Sequence, residues 1–289
     1  MLLERFTGAA AAQAARGHGV TTSFMVPTHL ARLLADPAAD AEALRSFRLV
    51  AHAGAPCPSS LKRQALQRFP KGSVHEFYGA TEGQFTAIGP EEWLAHPGSV
   101  GRARAGRVLS IRRDDGADAA TDEVGAVYTS APDFARFEYW RDPVRTAQAW
   151  DGDWFTVHDL GSVDADGYLT LAGRRGDLII TGGVNVYPAE VERALLEHPA
   201  VVEVAVFGVP DHEWGERVCA AVVLAAGVTV SGEEVQAWVR PSLSAAQRPK
   251  ELVLLDELPR TGSGKVCRSD LAALVKPSAG ARRHDGHKD

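Results

Sequence analysis

Three Asp-Gly dipeptides, Asp115-Gly116, Asp151-Gly152 and Asp166-Gly167, punctuate one stretch of the chain and divide its 289 residues into three textures. Asp-Gly between β-branched runs is the chemistry of tight turns. The runs beside them, Val108 to Arg112, Ala126 to Ser130, Trp154 to Val157 and Tyr168 to Leu171, read as short strands. Residues 100–172 are therefore predicted to form a small subdomain, β-barrel-like or an antiparallel sheet.

Ahead of that stretch, helical and strand signals alternate. Leu3 to Arg16 is alanine-rich and helix-favouring, Gly17 and Gly19 stop it, and Val20 to Val26 is a β-branched strand ending at Pro27. Residues 28–35 and 40–47 read as helices and Leu49 to Ala53 as a buried strand. Ser59 to Arg68 reads as an amphipathic helix with Leu61, Ala65, Leu66 and Phe69 on one face. This βαβ rhythm predicts a layered α/β subdomain over residues 1–99.

A third unit follows Gly173. Pro188 at a first-turn position and acidic Glu190 and Glu192 start a helix that ends at His198-Pro199. Val201 to Phe207, Val218 to Leu224 and Glu251 to Leu255 read as strands, and Ser231 with Glu234 forms a capping-box pattern for a helix through Val239. Residues 178–276 are predicted to be a compact α+β domain, preceded by the connecting residues 173–177. The polar tail 277–289 has no apolar periodicity and is expected to be disordered.

Four segments join glycines to polar residues at predicted strand ends, where ligands reach the backbone in α/β folds. They are Ala53-Gly54-Ala55-Pro56, Tyr78-Gly79-Ala80-Thr81-Glu82-Gly83, the run Phe155 to Gly161, and Gly173-Arg174 through Asn185 taken with Pro259 to Lys265. Singly, each is a turn before it is a site.

In this order they resemble the core motifs of the adenylate-forming superfamily, which includes acyl-CoA synthetases, luciferases and peptide-synthetase adenylation domains. Tyr78 to Glu82 is similar to Y-G-x-T-E and Trp154 to Gly161 to W-x-x-T-G-D-L-G. Gly173 to Glu192 is similar to G-R-x-x-D-x-I-x-x-G-G-x-N-x-x-P-x-E-x-E, and Pro259 to Arg268 to P-x-T-x-x-G-K-x-x-R. The resemblance runs to about Val275.

It implies ATP-dependent activation of a carboxylic acid to an acyl-adenylate, then thioester formation with coenzyme A. On that model Gly54, Ala55 and Pro56 lie flat against adenine, Tyr78 supplies a stacking face, and Gly79 and Ala80, with Gln84 and Phe85, contribute one wall of the acyl pocket. Thr81 donates to the α-phosphate, while Glu82 is the carboxylate for Mg²⁺. Asp159 accepts the ribose hydroxyls with Arg174 nearby. Lys265 is the cation for charge developing during adenylation, and Gly183 lets pantetheine pass. The acid is expected to be hydrophobic: fatty, aromatic or steroid-like.

Three departures qualify the resemblance. His158 stands where the family has Gly, and Gly176 stands where its hinge has Asp or Lys. No segment resembles the upstream phosphate loop S-G-T-T-G-x-P-K. Met1 is therefore expected to fall inside the N-terminal domain, leaving about half of its sheet missing and apolar faces exposed. A split ligase whose second chain supplies the phosphate loop fits this, as does a gene fragment. A non-catalytic nucleotide-binding or regulatory partner is the alternative, weakened by retention of Lys265.

Other readings are poorer. A P-loop at Gly262 to Lys265 needs Gly at position 259 and Ser or Thr at 266, where Pro and Val stand. A His158–Asp159 dyad fails because adjacent strand residues face opposite ways. Cys57 reads as small apolar filler rather than a nucleophile. The 31 basic and 37 acidic residues leave a net charge of −6, which excludes the basic surface of a nucleic-acid binder. Three scattered cysteines predict free thiols and a cytoplasmic setting, and no ~20-residue apolar run predicts a membrane span.

Overall fold

A computed structural model describes residues 6–132, 135–261 and 266–275. The chain divides into two compact units, Met1–Leu171 and Ala172–Asp289. Among the described residues the architecture is mixed α/β, with three five-stranded sheets.

The first sheet runs in the order Thr22–Met25, Leu49–His52, Val74–Ala80, Gly83–Ile88, Arg102–Ala103. Its first three strands are parallel, joined by two helical crossovers. Local signals explain the helices. Thr7 caps Gly8–His18 by accepting from the Ala10 N–H, Pro27 opens Pro27–Ala35, and Asp40 caps the short Ala41–Leu44. The segment 40–47 is thus helical over only four residues.

The apolar stripes of these helices pack on one face of the sheet. Leu30, Leu33, Leu34 and Leu44 join Met25, Val50 and Val74 in one core, and each buried leucine contributes about 1.5–3 kcal/mol. The other face stays open. Phe24 is 60% exposed and touches Phe77 at 5.5 Å between ring centroids, and Leu49 is 38% exposed.

The second sheet curls into a half-barrel, ordered Leu169–Arg174, Trp154–Val163, Gly125–Ser130, Leu109–Arg112, with Trp150–Asp151 pairing Trp154–Val163. Its core of Ile111, Val127, Phe155 and Leu169 also takes in Tyr78 and Phe85 from the first sheet. The Asp-Gly turns fall between its strands as read. Trp154–Val163, however, is a ten-residue strand rather than one ending at Val157. It continues because a bulge opposite Ala126–Tyr128 absorbs the irregular backbone at 157–159.

In the second unit the order is Val184–Val186, Ile179–Thr181, Gly215–Leu224, Val201–Asp211, with Glu251–Leu254 parallel to Gly215–Leu224. The central strand alternates between two cores. Val218, Ala220 and Val222 join Val191 and Leu195 of helix Pro188–Leu196 and Val235 and Val239 of helix Gly232–Val239. Cys219, Ala221 and Val223 join Leu258 and Leu271 of helix Arg268–Leu274. The Ser231–Glu234 capping box forms as predicted. Glu192, only 5% exposed, is satisfied by the Val206 N–H at 2.9 Å and Arg268 Nη2 at 2.8 Å. Arg268 also donates to Asp177 at 3.0 Å.

Candidate nucleotide site

The strands Leu49–His52 and Val74–Ala80 are parallel neighbours with His52 opposite Glu76. Gly54-Ala55-Pro56 leaves the sheet just past His52, and Tyr78 lies just past Glu76, so both segments emerge at the same sheet edge. That is the carboxyl end, where α/β sheets take ligands. All three loop residues are exposed, with Gly54 at φ 89°.

Tyr78 is 8% exposed and makes an edge contact with Phe85 at 5.1 Å. Its hydroxyl donates to Asp159 Oδ2 at 2.5 Å. Asp159 is itself 8% exposed, on the bulged part of Trp154–Val163. The adjacent His158 is exposed and sits at φ 66°, its N–H donating to Thr156 Oγ1 at 3.0 Å.

Val74–Ala80 and Gly83–Ile88 form a hairpin whose two-residue turn is Thr81-Glu82, with Ala80 paired to Gly83. The backbone crowds at Gly79, where a Cβ would meet the Gly83 carbonyl oxygen at 2.5 Å. Only glycine fits that approach. Thr81 is exposed at the tip. Glu82 Oε1 accepts from Tyr139 Oη at 2.7 Å, and burial followed by the Glu82 carboxylate raises the Tyr139 phenol above its ordinary range.

Behind this edge lies a buried polar cluster. Lys62 and His52 are wholly buried and Glu76 nearly so; Lys62 Nζ is 2.5 Å from His52 Nε2 and 3.3 Å from Glu76 Oε2. Burial lowers Lys62, raises Glu76 and holds His52 down at about 2. It also pushes the Cys57 thiol up to about 12, so Cys57 is no thiolate nucleophile at neutral pH.

The remaining predicted residues belong to the second unit. Arg174 is exposed at the end of Leu169–Arg174. Gly182 and Gly183, at φ 56° and 78°, form the two-residue turn between Ile179–Thr181 and Val184–Val186. Paired positive φ values are those of a type I′ hairpin turn. A Cβ at Gly182 would strike Trp214 at 2.8 Å, whereas Gly183 faces open space. Lys265 lies outside the described residues. Arg260 and Val266, on either side of that segment, are bridged antiparallel.

Residues 2–140 match the AMP-binding enzyme model, and residues 190–265 match that of the AMP-binding enzyme C-terminal domain. This chain belongs to the AMP-binding enzyme family. Among AMP-binding enzymes, it is 35% identical over 277 residues to indoleacetate–CoA ligase of Aromatoleum aromaticum, covering 95% of this chain and 54% of that protein. Its fold is similar to the amide bond synthetase McbA from Marinactinospora thermotolerans. The TM-score there is 0.88 at 35% identity, over 95% of this chain and 57% of that one. It is also similar to o-succinylbenzoate coenzyme A synthetase from Bacillus subtilis in complex with AMP, with TM-score 0.79 and 32% identity over 93% and 54% of the two chains. The chain spans about half the length of the curated relatives it matches.

Two features of this AMP-binding enzyme family member escape its sequence. Tyr139 lies 57 residues from Glu82, and the Lys62 cluster draws on three separate elements. The positive φ at His158 does have a signal. It is the position where the family pattern places glycine, the residue that tolerates that conformation at least cost.

Proposed function

We propose that these residues form the AMP-side portion of an ATP-dependent acid–thiol ligase. The observation that carries this reading is the Tyr78–Asp159 pair. It joins a buried carboxylate of the half-barrel to the strand that leads into the Thr81-Glu82 turn, within one compact unit.

In the first half-reaction, an oxygen of the substrate carboxylate attacks the α-phosphorus of ATP, and pyrophosphate leaves with the bonding electron pair. The Thr81 hydroxyl, on an exposed turn, donates to the α-phosphate. Asp159 accepts the ribose hydroxyls, and Gly54, Ala55 and Pro56 let adenine lie against backbone. Lys265 supplies positive charge to the oxygens where negative charge builds up. In the second half-reaction the thiol sulfur of coenzyme A attacks the acyl carbonyl, releases AMP and gives up its proton to solvent. The open space beside Gly183 suits the passage of a pantetheine arm. The carboxylic acid is a hydrophobic one.

Magnesium fits as a companion of the nucleotide. Among the described residues no three His, Cys, Asp or Glu side chains form a metal cage, and Glu82 presents one carboxylate on a turn. Mg²⁺ favours that arrangement, taking one or two carboxylates together with phosphate oxygens and waters. When bound, it neutralises phosphate charge. Tyr139 engages Oε1 of Glu82, and Oε2 accepts no hydrogen bond among the described residues.

Carboxylate-dependent ATP–pyrophosphate exchange tests the proposal. These 289 residues alone are expected to show little exchange, and addition of a polypeptide carrying a phosphate loop is expected to restore it, with Lys265→Ala abolishing the restored activity. Robust exchange by the 289 residues alone would overturn the dependence on a phosphate loop. Restored exchange that survives Lys265→Ala would overturn the role of Lys265.

A further inference from the structure

A glutamate on a two-residue turn has three free side-chain torsions and little to hold them, so a single carboxylate there makes a poor metal ligand unless something fixes it. Here Tyr139 Oη donates to Glu82 Oε1 at 2.7 Å. Tyr139 is itself held from several sides. Its main-chain N–H donates to Thr146 Oγ1 at 2.9 Å, and its carbonyl oxygen accepts from the Asp142 N–H at 3.1 Å. Asp142 caps the helix Pro143–Ala149. The Arg145 guanidinium lies 4.1 Å from the phenol ring centroid, and Phe137 packs edge-on at 5.4 Å.

We propose that Tyr139 is a positioning residue for Glu82: it occupies Oε1 with a hydrogen bond and leaves Oε2 to engage the magnesium of a Mg²⁺–nucleotide. This rests on the reading of Glu82 as the magnesium carboxylate. Partners one shell out from a metal ligand change metal affinity by about 10–100-fold when removed. The half-exposed pair here is set at the lower end, about tenfold.

Calorimetric titration of the full 289-residue chain with ATP, in excess Mg²⁺ and in EDTA, separates the outcomes. Mn²⁺ paramagnetic resonance serves as a second readout. The quantity read is the ratio of ATP affinities with and without metal. Tyr139→Phe is expected to lower that ratio about tenfold, Glu82→Gln at least as much, and the double variant no more than Glu82→Gln alone. If Glu82→Gln collapses the ratio and Tyr139→Phe leaves it intact, the positioning role is wrong while the reading of Glu82 stands. If wild type shows no metal advantage, or Glu82→Gln keeps it, the reading of Glu82 fails and this proposal with it. Equal loss of ATP affinity with and without metal in Tyr139→Phe, accompanied by a lower Tm, would mark the tyrosine as merely structural and overturn the proposal.

Discussion

Tyr78 and Asp159, 81 residues apart in sequence, meet through a 2.5 Å hydrogen bond between two nearly buried side chains. The bond ties the first sheet to the half-barrel. Replacing Tyr78 with Phe keeps the ring and its edge contact with Phe85 while removing the donor to a buried carboxylate. Urea unfolding of Tyr78→Phe is expected to show a loss of about 2 kcal/mol with an unchanged m-value. A loss under about 0.5 kcal/mol would mean the bond contributes nothing net.

Much of the fold was legible because its signals are local. Pro27, Pro188, Asp40 and the Ser231–Glu234 box mark helix starts, and the Asp-Gly turns space the half-barrel strands. What was not legible depends on partners distant in sequence. The face of Leu61, Ala65, Leu66 and Phe69 read along Ser59–Arg68 does pack on the core, but the same helix also buries Lys62 completely. Its charge is tolerated there because His52 and Glu76, on two neighbouring strands, offer it acceptors. Nothing in the periodicity of residues 59–68 announces them. The same holds for the candidate site. Tyr78 and Glu82 stand out by motif, while Tyr139 becomes visible only once the chain has folded it against Glu82.

His158 gives a test of stored strain. At φ 66° a side chain costs about 1–2 kcal/mol relative to glycine, partly offset by the greater freedom of glycine in the unfolded chain. His158→Gly is expected to raise stability by about 0.5–1 kcal/mol in urea unfolding. A fall in stability would show that the imidazole makes a contribution exceeding its backbone cost.

The buried His52 predicts an acid sensitivity. Its folded pKa lies near 2, held down by burial and then by Lys62, so from about pH 6.5 downward the unfolded chain takes up a proton that the folded chain refuses. Stability is therefore lost as pH falls across that window, by about 2 kcal/mol between pH 6.5 and pH 5 from this group. His52→Gln keeps an acceptor for Lys62 and removes the titration. Its unfolding free energy is expected to fall less than that of wild type by about that amount over the same interval. Parallel losses in both proteins would place the acid sensitivity elsewhere.

Calorimetric titration of AMP into the 289-residue chain tests most directly whether these residues hold the nucleotide. Wild type is expected to give saturable binding. Asp159→Asn, which weakens the acceptor for the ribose hydroxyls, is expected to lose about tenfold or more in affinity, while Tyr78→Phe, which retains the carboxylate, stays within a few-fold of wild type. Absence of AMP binding by wild type, or unchanged affinity in Asp159→Asn, would contradict the account.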